Sequence, residues 1–231
     1  TLKGKDGTQI EFMCLTMINP ATSWFEMVEL PVITQKVTGK DGLITEGEIL
    51  DKTSSTISNL VNQAWFCRYP RCRYVIYDNG SEFKIHFQAL CDSYGLKKKP
   101  TTIRNPCANA ILERMHLVIE NMLRTAKIDM SETITENDVA QFLSNASWAV
   151  RTTHHTILKT SPGSAIFGRD MLFDIPFIAD WNKIGDYRQK QTDRNAERKN
   201  KARCDHEYTI GEQVLIRKHG VLRKSESPWL G

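Results

Sequence analysis

The sequence predicts an α/β core of about 160 residues, then a basic helical segment and the opening of a small β module. Three observations carry that prediction. Two strand-forming runs near the N-terminus flank a tight turn. A short apolar run then ends at an acidic turn, and a helical pattern and another short run follow it. Two long segments of helical period close the block. With 231 residues, 40% hydrophobic and 25% charged, the chain can bury a real core and is too apolar for wholesale disorder. Its longest apolar stretches, such as Phe12 to Leu15, fall far short of the ~20 residues a membrane helix requires.

Taken in order, Ile10 to Ile18 is rich in strand formers, and Trp24 to Leu30 alternates until Pro31 stops it. The turn Asn19-Pro20-Ala21-Thr22-Ser23 between them predicts an antiparallel pair. Gly39 to Asp51 is acidic and glycine-containing without a clear period, which predicts a loop with room for a short edge strand. From Ser54, the spacing of Ile57, Leu60, Val61, Ala64 and Trp65 predicts a helix that ends by Pro70. Arg73 to Tyr77 reads as a short buried strand, Ser81 to Tyr94 as a helix closed by Gly95, and Leu96 to Thr101 as a strand. Long helices follow over Asn109 to Lys127 and about Thr135 to Arg151, with Ser131-Glu132 and Asn137-Asp138 as start signals. Residues 180 to 205 read as a basic helix, and Tyr208 to Arg217 alternates like the first strand of a new module.

Charge and cysteine usage narrow the partners. The net charge is +4, yet Lys183 to Lys224 carries twelve Lys and Arg against six Asp and Glu, while the remainder is slightly acidic. That asymmetry points to a polyanion. The six cysteines (Cys14, Cys67, Cys72, Cys91, Cys107, Cys204) form no C-x-x-C pair, and neither His154-His155 nor Cys204-His206 completes a zinc spacing. Free thiols are the expectation. The chain opens Thr1-Leu2-Lys3-Gly4 with neither an initiator Met nor an apolar signal region, so the reading is a non-secreted piece of a longer precursor.

Two acids carry the chemistry. Tyr77-Asp78-Asn79-Gly80-Ser81-Glu82-Phe83 places Asp78 where a buried strand gives way to a turn, the end of a strand at which α/β sheets gather ligands. On the first long helix, Ile111, Met115, Val118, Ile119 and Met122 form one stripe. Glu113 lies opposite, in line with His116, Glu120 and Arg124. Alone, the first is a good turn and the second a solvated helix residue. Their separation of 35 residues, across helix, strand and turn, gives the pair its meaning.

That separation and the residues around each acid resemble the catalytic core of retroviral and retrotransposon integrases, with gypsy-like long-terminal-repeat elements the nearest match in motif. The Asp78 turn is similar to the family's second-Asp motif. Asn105-Pro106-Cys107-Ala108-Asn109-Ala110-Ile111-Leu112-Glu113-Arg114 is similar to its Asn-Pro-x-(Ala/Ser)-Asn-(Gly/Ala)-x-x-Glu-Arg motif, and Tyr208 to Arg217 resembles the start of its SH3-like C-terminal domain. The resemblance implies an RNase H-like core over 1–165, a mixed five-stranded sheet flanked by helices. A basic helical linker over 166–207 and the truncated start of an SH3-like barrel over 208–231 would follow it. It also implies a polynucleotidyl transferase in which three carboxylates hold two Mg²⁺ or Mn²⁺ ions, while water trims the element's DNA end and the new 3′-hydroxyl attacks target DNA. The metal ligands would be Asp78 and Glu113. The expected DNA contacts are Asn79, Arg104, Asn105 and Arg114 near the acids, and Arg188, Lys190, Arg194, Lys199 and Lys201 in the tail. The implied partners are double-stranded DNA and further copies of the chain, with no membrane, in the nucleus of a eukaryotic host after a cytoplasmic particle stage. The family's N-terminal zinc module is not matched, so no zinc is expected here.

Two departures qualify the resemblance. Met17-Ile18-Asn19-Pro20-Ala21-Thr22-Ser23-Trp24 has Asn19 where the family has its first catalytic Asp, and an amide brings no charge to two dications. Leu117 and Glu120 stand where the best-known retroviral members carry DNA-gripping lysines. Asn19 therefore leaves two readings open: an integrase with impaired catalysis, or an inactive integrase-derived DNA-binding protein. A hydrolase of RNA–DNA hybrids shares the fold but not the Asn-Pro motif or the basic tail.

Overall fold

The computed structural model describes residues 1–3, 6–7, 9–38, 44–101, 110–129 and 134–201, together with 203, 206–207, 209–213, 216–217 and 229–230. The chain divides into two units, Thr1–Ile184 and Gly185–Gly231.

In the first unit β1 (Leu2–Lys3) pairs with β2 (Gln9–Ile10), and β3 (Cys14–Ile18) pairs antiparallel with β4 (Phe25–Glu29). The predicted 10–18 strand is thus interrupted at 11–13, with Ile10 alone in the β1–β2 pair. The Asn19 turn forms as expected: Asn19 N–H donates to the Trp24 carbonyl at 2.9 Å, and Ser23 N–H donates to the Asn19 carbonyl at 2.7 Å.

The expected loop over 39–51 is corrected by a further hairpin, β5 (Val32–Thr38) with β6 (Ile44–Leu50). Its acids mask the pattern. Ile44, Thr45, Ile49 and Leu50 are strand formers, and Thr38, Val37, Ile33 and Val32 oppose them in that order across the ladder.

Next come α1 (Ser54–Val61), capped by the Thr53 side chain, and a π-helical turn over 62–66. The helix expected over 81–94 is broken. A 3₁₀ turn over 81–83 precedes α2 (His86–Ser93), and between them Ile85 has φ 39°, a region β-branched residues avoid. β7 (Tyr74–Tyr77), α2 and β8 (Lys97–Pro100) form a parallel βαβ unit. α3 (Ala110–Asp129) and α4 (Glu136–Thr152) are the two long helices, and a Thr135–Asp138 capping box opens the second. α5 (Pro162–Phe167) is a short helix the sequence pattern did not reveal, and α6 (Trp181–Asn200) is the basic helix. No described helix is long and apolar enough to cross a membrane.

β3 is central because it is apolar on both faces. Leu15 and Met17 pack with Val75 and Tyr77 of β7 and with α1 and α2, whereas Cys14 packs with α3 and α4 side chains around Phe142 and Leu143. The five-stranded mixed sheet expected from the resemblance is not one hydrogen-bonded sheet among the described residues. Strands pair only two by two, and the β3–β4 and β7–β8 ladders are linked through side chains in a shared apolar cluster.

In the second unit, β9 (Ile216–Arg217) pairs with β10 (Trp229–Leu230). Of the strand expected from Tyr208, residues 209–213 are not strand, and Gly211 there has φ 96°. Tyr208, Val214 and Leu215 lie outside the described residues.

Candidate active site

Asp78 follows β7 directly, at the carboxyl end of a parallel strand, which is the placement its sequence context predicts. Its side chain is exposed yet fixed. Oδ1 accepts the Asn79 N–H at 2.7 Å and the Thr101 hydroxyl at 3.2 Å, and Thr101 is itself tied by N–H to the Tyr77 carbonyl at 2.8 Å. One carboxylate oxygen is thus held, and Oδ2 has no partner among the described residues.

Glu113 lies in the first turn of α3, exposed and without an ion pair among the described residues. Its helix is anchored one turn later. His116, expected in the solvent-facing row with Glu113, is half-buried and hydrogen-bonds through Nε2 to the Thr16 hydroxyl of β3 at 2.8 Å. The remaining row members, Glu120 and Arg124, are exposed and paired with each other. On the apolar side, Ile119 and Met122 pack on α4 as expected, whereas Ile111 is exposed.

Asn19 directly follows β3, the strand that packs against β7 on one side and bonds to α3 on the other. Its Oδ1 accepts the Ala21 N–H at 2.8 Å, an Asx turn that closes the hairpin. The amide oxygen that would face a cation is therefore engaged locally. Among the described residues no group of three or more His, Cys, Asp or Glu could hold a metal ion. Asp78 and Glu113 are carboxylates with no ion pair among the described residues, the oxygen-donor type that a hard divalent cation takes.

Asn79 and Arg114 are exposed, and Arg104 and Asn105 lie outside the described residues. In the second unit, Arg188 is half-buried and its guanidinium pKa is lowered by that burial, while Lys190, Arg194, Lys199 and Lys201 are exposed. Helical periodicity puts Lys190, Arg194 and Lys201 on one side and Arg188 and Lys199 on the other, so the tail offers two basic faces rather than one.

Sequence reasoning missed a buried network beside the Asn19 turn. Glu26 on β4 is 6% exposed. It accepts Trp24 Nε1–H at 3.1 Å and the Tyr69 hydroxyl, and it pairs with Arg151 of α4. Arg151 also donates to the Phe25 carbonyl at 2.9 Å and lies 4.7 Å from the Trp24 ring centre. The alternation Trp24, Glu26, Val28 is a usable signal, since it puts a charge on the same face as a buried tryptophan. The four described cysteines are free, and Cys107 and Cys204 lie outside the described residues. Burial pushes the Cys14 thiol up to about 12 and the Cys91 thiol up to about 11.

No family model matches the chain, and no curated protein matches it. Among solved structures, it is similar to a chain in the cryo-EM structure of the simian T-cell lymphotropic virus intasome in complex with PP2A regulatory subunit B56 gamma. That likeness has TM-score 0.44 and 19% identity, over 73% of this chain and 57% of that one. It is also similar to the catalytic core domain of BIV integrase, with TM-score 0.41 and 21% identity, over 66% of this chain and 90% of that one. The chain thus spans a little over half the length of the first of these. With TM-scores below 0.5, the likenesses leave the assignment to the residues themselves.

Proposed function

We propose that this chain carries the catalytic core and linker of a DNA integrase of the gypsy-like retrotransposon type, impaired at its metal centre by Asn19. The observation that carries the reading is Asp78, whose carboxylate sits at the end of a parallel strand with one oxygen pinned by Asn79 and Thr101 and the other without a partner among the described residues. Asp78 and Glu113 would hold a divalent cation, Mg²⁺ or Mn²⁺. Such an ion supplies activation of an attacking hydroxyl and neutralisation of a leaving oxygen. The chain's own part is to fix the Asp78 carboxylate in advance and to anchor the Glu113 helix on β3 through His116 and Thr16. The basic tail would hold double-stranded DNA.

A second reading, an inactive integrase-derived DNA-binding protein, is favoured by the Asx turn. Asn19 has a structural task in the hairpin that needs no metal.

Asn19→Asp separates the two, because an aspartate keeps the Asx-turn acceptor and adds a charge. At an effective dielectric near 20, a charge pair a few ångströms apart is worth about 4 kcal/mol before desolvation. A net gain of ~3 kcal/mol is roughly a hundredfold in affinity. The variant is expected to bind Mn²⁺ at least that much more tightly, and to join a pre-cut DNA end to target DNA. Asp78→Asn or Glu113→Gln in the same background should abolish both. If Asn19→Asp gains no Mn²⁺ affinity while DNA binding persists, the second reading replaces the first.

A further inference from the structure

Parallel strands are usually covered on both faces, and among the described residues the outward face of β7–β8 is left exposed. Val75 and Tyr77 point into the core, so Tyr74 and Ile76 take the opposite face, where they are 39% and 53% exposed. Their register partners on β8 are Lys97 and Lys99, both exposed, while the intervening Lys98 is paired with Asp92 at 2.7 Å.

Three cations surround the Tyr74 ring. Lys99 Nζ is 4.1 Å from its centre, the Arg73 guanidinium 5.5 Å and Lys97 Nζ 5.9 Å. Lys97, Lys99 and Arg73 form no ion pair with any described carboxylate, so their charge is available to a partner. A shallow cavity of about 330 Å³ adjoins them, lined by Arg71, Cys72, Arg73, Gly95 and Lys97. An apolar ring ringed by cations matches the alternating chemistry of an unpaired nucleotide strand, with bases to stack and phosphates to neutralise.

We propose that the outward face of β7–β8 is a binding surface for single-stranded nucleic acid, in which Tyr74 stacks on a base and Arg73, Lys97 and Lys99 hold the flanking phosphates. The cations that cover the ring in the free protein move onto phosphate as a base takes their place. Tyr74 is about four residues, or roughly 13 Å of strand, from Asp78 on the same β7 path. The surface itself needs neither metal nor Asn19.

The test uses the whole chain in EDTA, with a fluorescent twelve-nucleotide oligothymidylate and a duplex of equal length, followed by anisotropy over a salt series. Tyr74→Ala should weaken oligothymidylate binding about tenfold and duplex binding less than twofold, with Tyr74→Phe retaining the affinity. Lys97→Gln/Lys99→Gln should reduce the log–log salt slope for the single strand by about 1.4, two phosphates at ~0.7 each. Both double-variant residues are exposed, so that slope decides the matter even if loss of the Tyr74 ring disturbs the fold. An unchanged slope would overturn the proposal. So would equal losses on single strand and duplex, or a polyglutamate that competes as well as the oligonucleotide does, which would make the face a site for acidic protein. Because metal is excluded throughout, none of these outcomes bears on the Mn²⁺ test of Asn19→Asp.

Discussion

At the scale of single residues, burial and local hydrogen bonds decide what each group can do. Cys14 and Cys91 hold their protons far above the ordinary thiol value of 9.0 because burial disfavours the thiolate. Above pH 9 the unfolded chain loses those protons while the folded chain keeps them. The stability they contribute is therefore complete below pH 9 and is lost as pH rises toward 11 and 12. Urea midpoints should fall through that window, and Cys14→Ala should flatten the fall. Ile85 makes the opposite case for backbone. At φ 39° and 75% exposure it buries little and bears strain of about 1–3 kcal/mol, more than glycine's entropic penalty of about 0.5–1 kcal/mol. Ile85→Gly should raise stability by about 1 kcal/mol, read from the same denaturation curves.

At the scale of elements, the Glu26–Arg151 pair fastens α4 to β4 next to the hairpin that carries Asn19. Glu26 is also bonded by Trp24 and Tyr69, and no buried side-chain nitrogen or oxygen among the described residues lacks a partner. Removing only the arginine would strand a buried carboxylate. Arg151→Met should cost about 3–5 kcal/mol in chemical denaturation, and Glu26→Gln added to it should restore part of that loss. If Arg151→Met costs under 1 kcal/mol, the pair is not holding these elements together. The approximate start of α4 is readable from sequence. Of the signals read for it, Ser131-Glu132 lies outside the described residues, and Asn137-Asp138 lies inside the helix, where Asp138 completes the Thr135 capping box. The β5–β6 hairpin is not readable, because its acids and glycines read as loop and its strand character shows only once the two runs are set opposite each other.

For the whole molecule, the basic excess of the tail is a prediction about salt. If residues 183–224 neutralise phosphates, removing them should lower the log–log slope of duplex binding by about 0.9 for each phosphate left without its cation. An unchanged slope would assign that charge to solvation alone. The tail does not contain every cluster of cations. Charge counted along the chain leaves the first unit with no net charge and so conceals the Arg73, Lys97 and Lys99 cluster, which forms only when β8 is laid beside β7.

Periodicity, capping and turn chemistry, each acting within a few residues, are enough to read the α/β order, the Asn19 turn, the two long helices and the position of Asp78 at a strand end. The remaining features depend on partners that come from distant segments. Oδ1 of Asp78 is pinned by Thr101, 23 residues on. His116 leaves the solvent face for Thr16, 100 residues back, and Glu26 meets Arg151 across 125. A side chain's periodicity says which face it takes, but what covers that face depends on which elements burial brings against it.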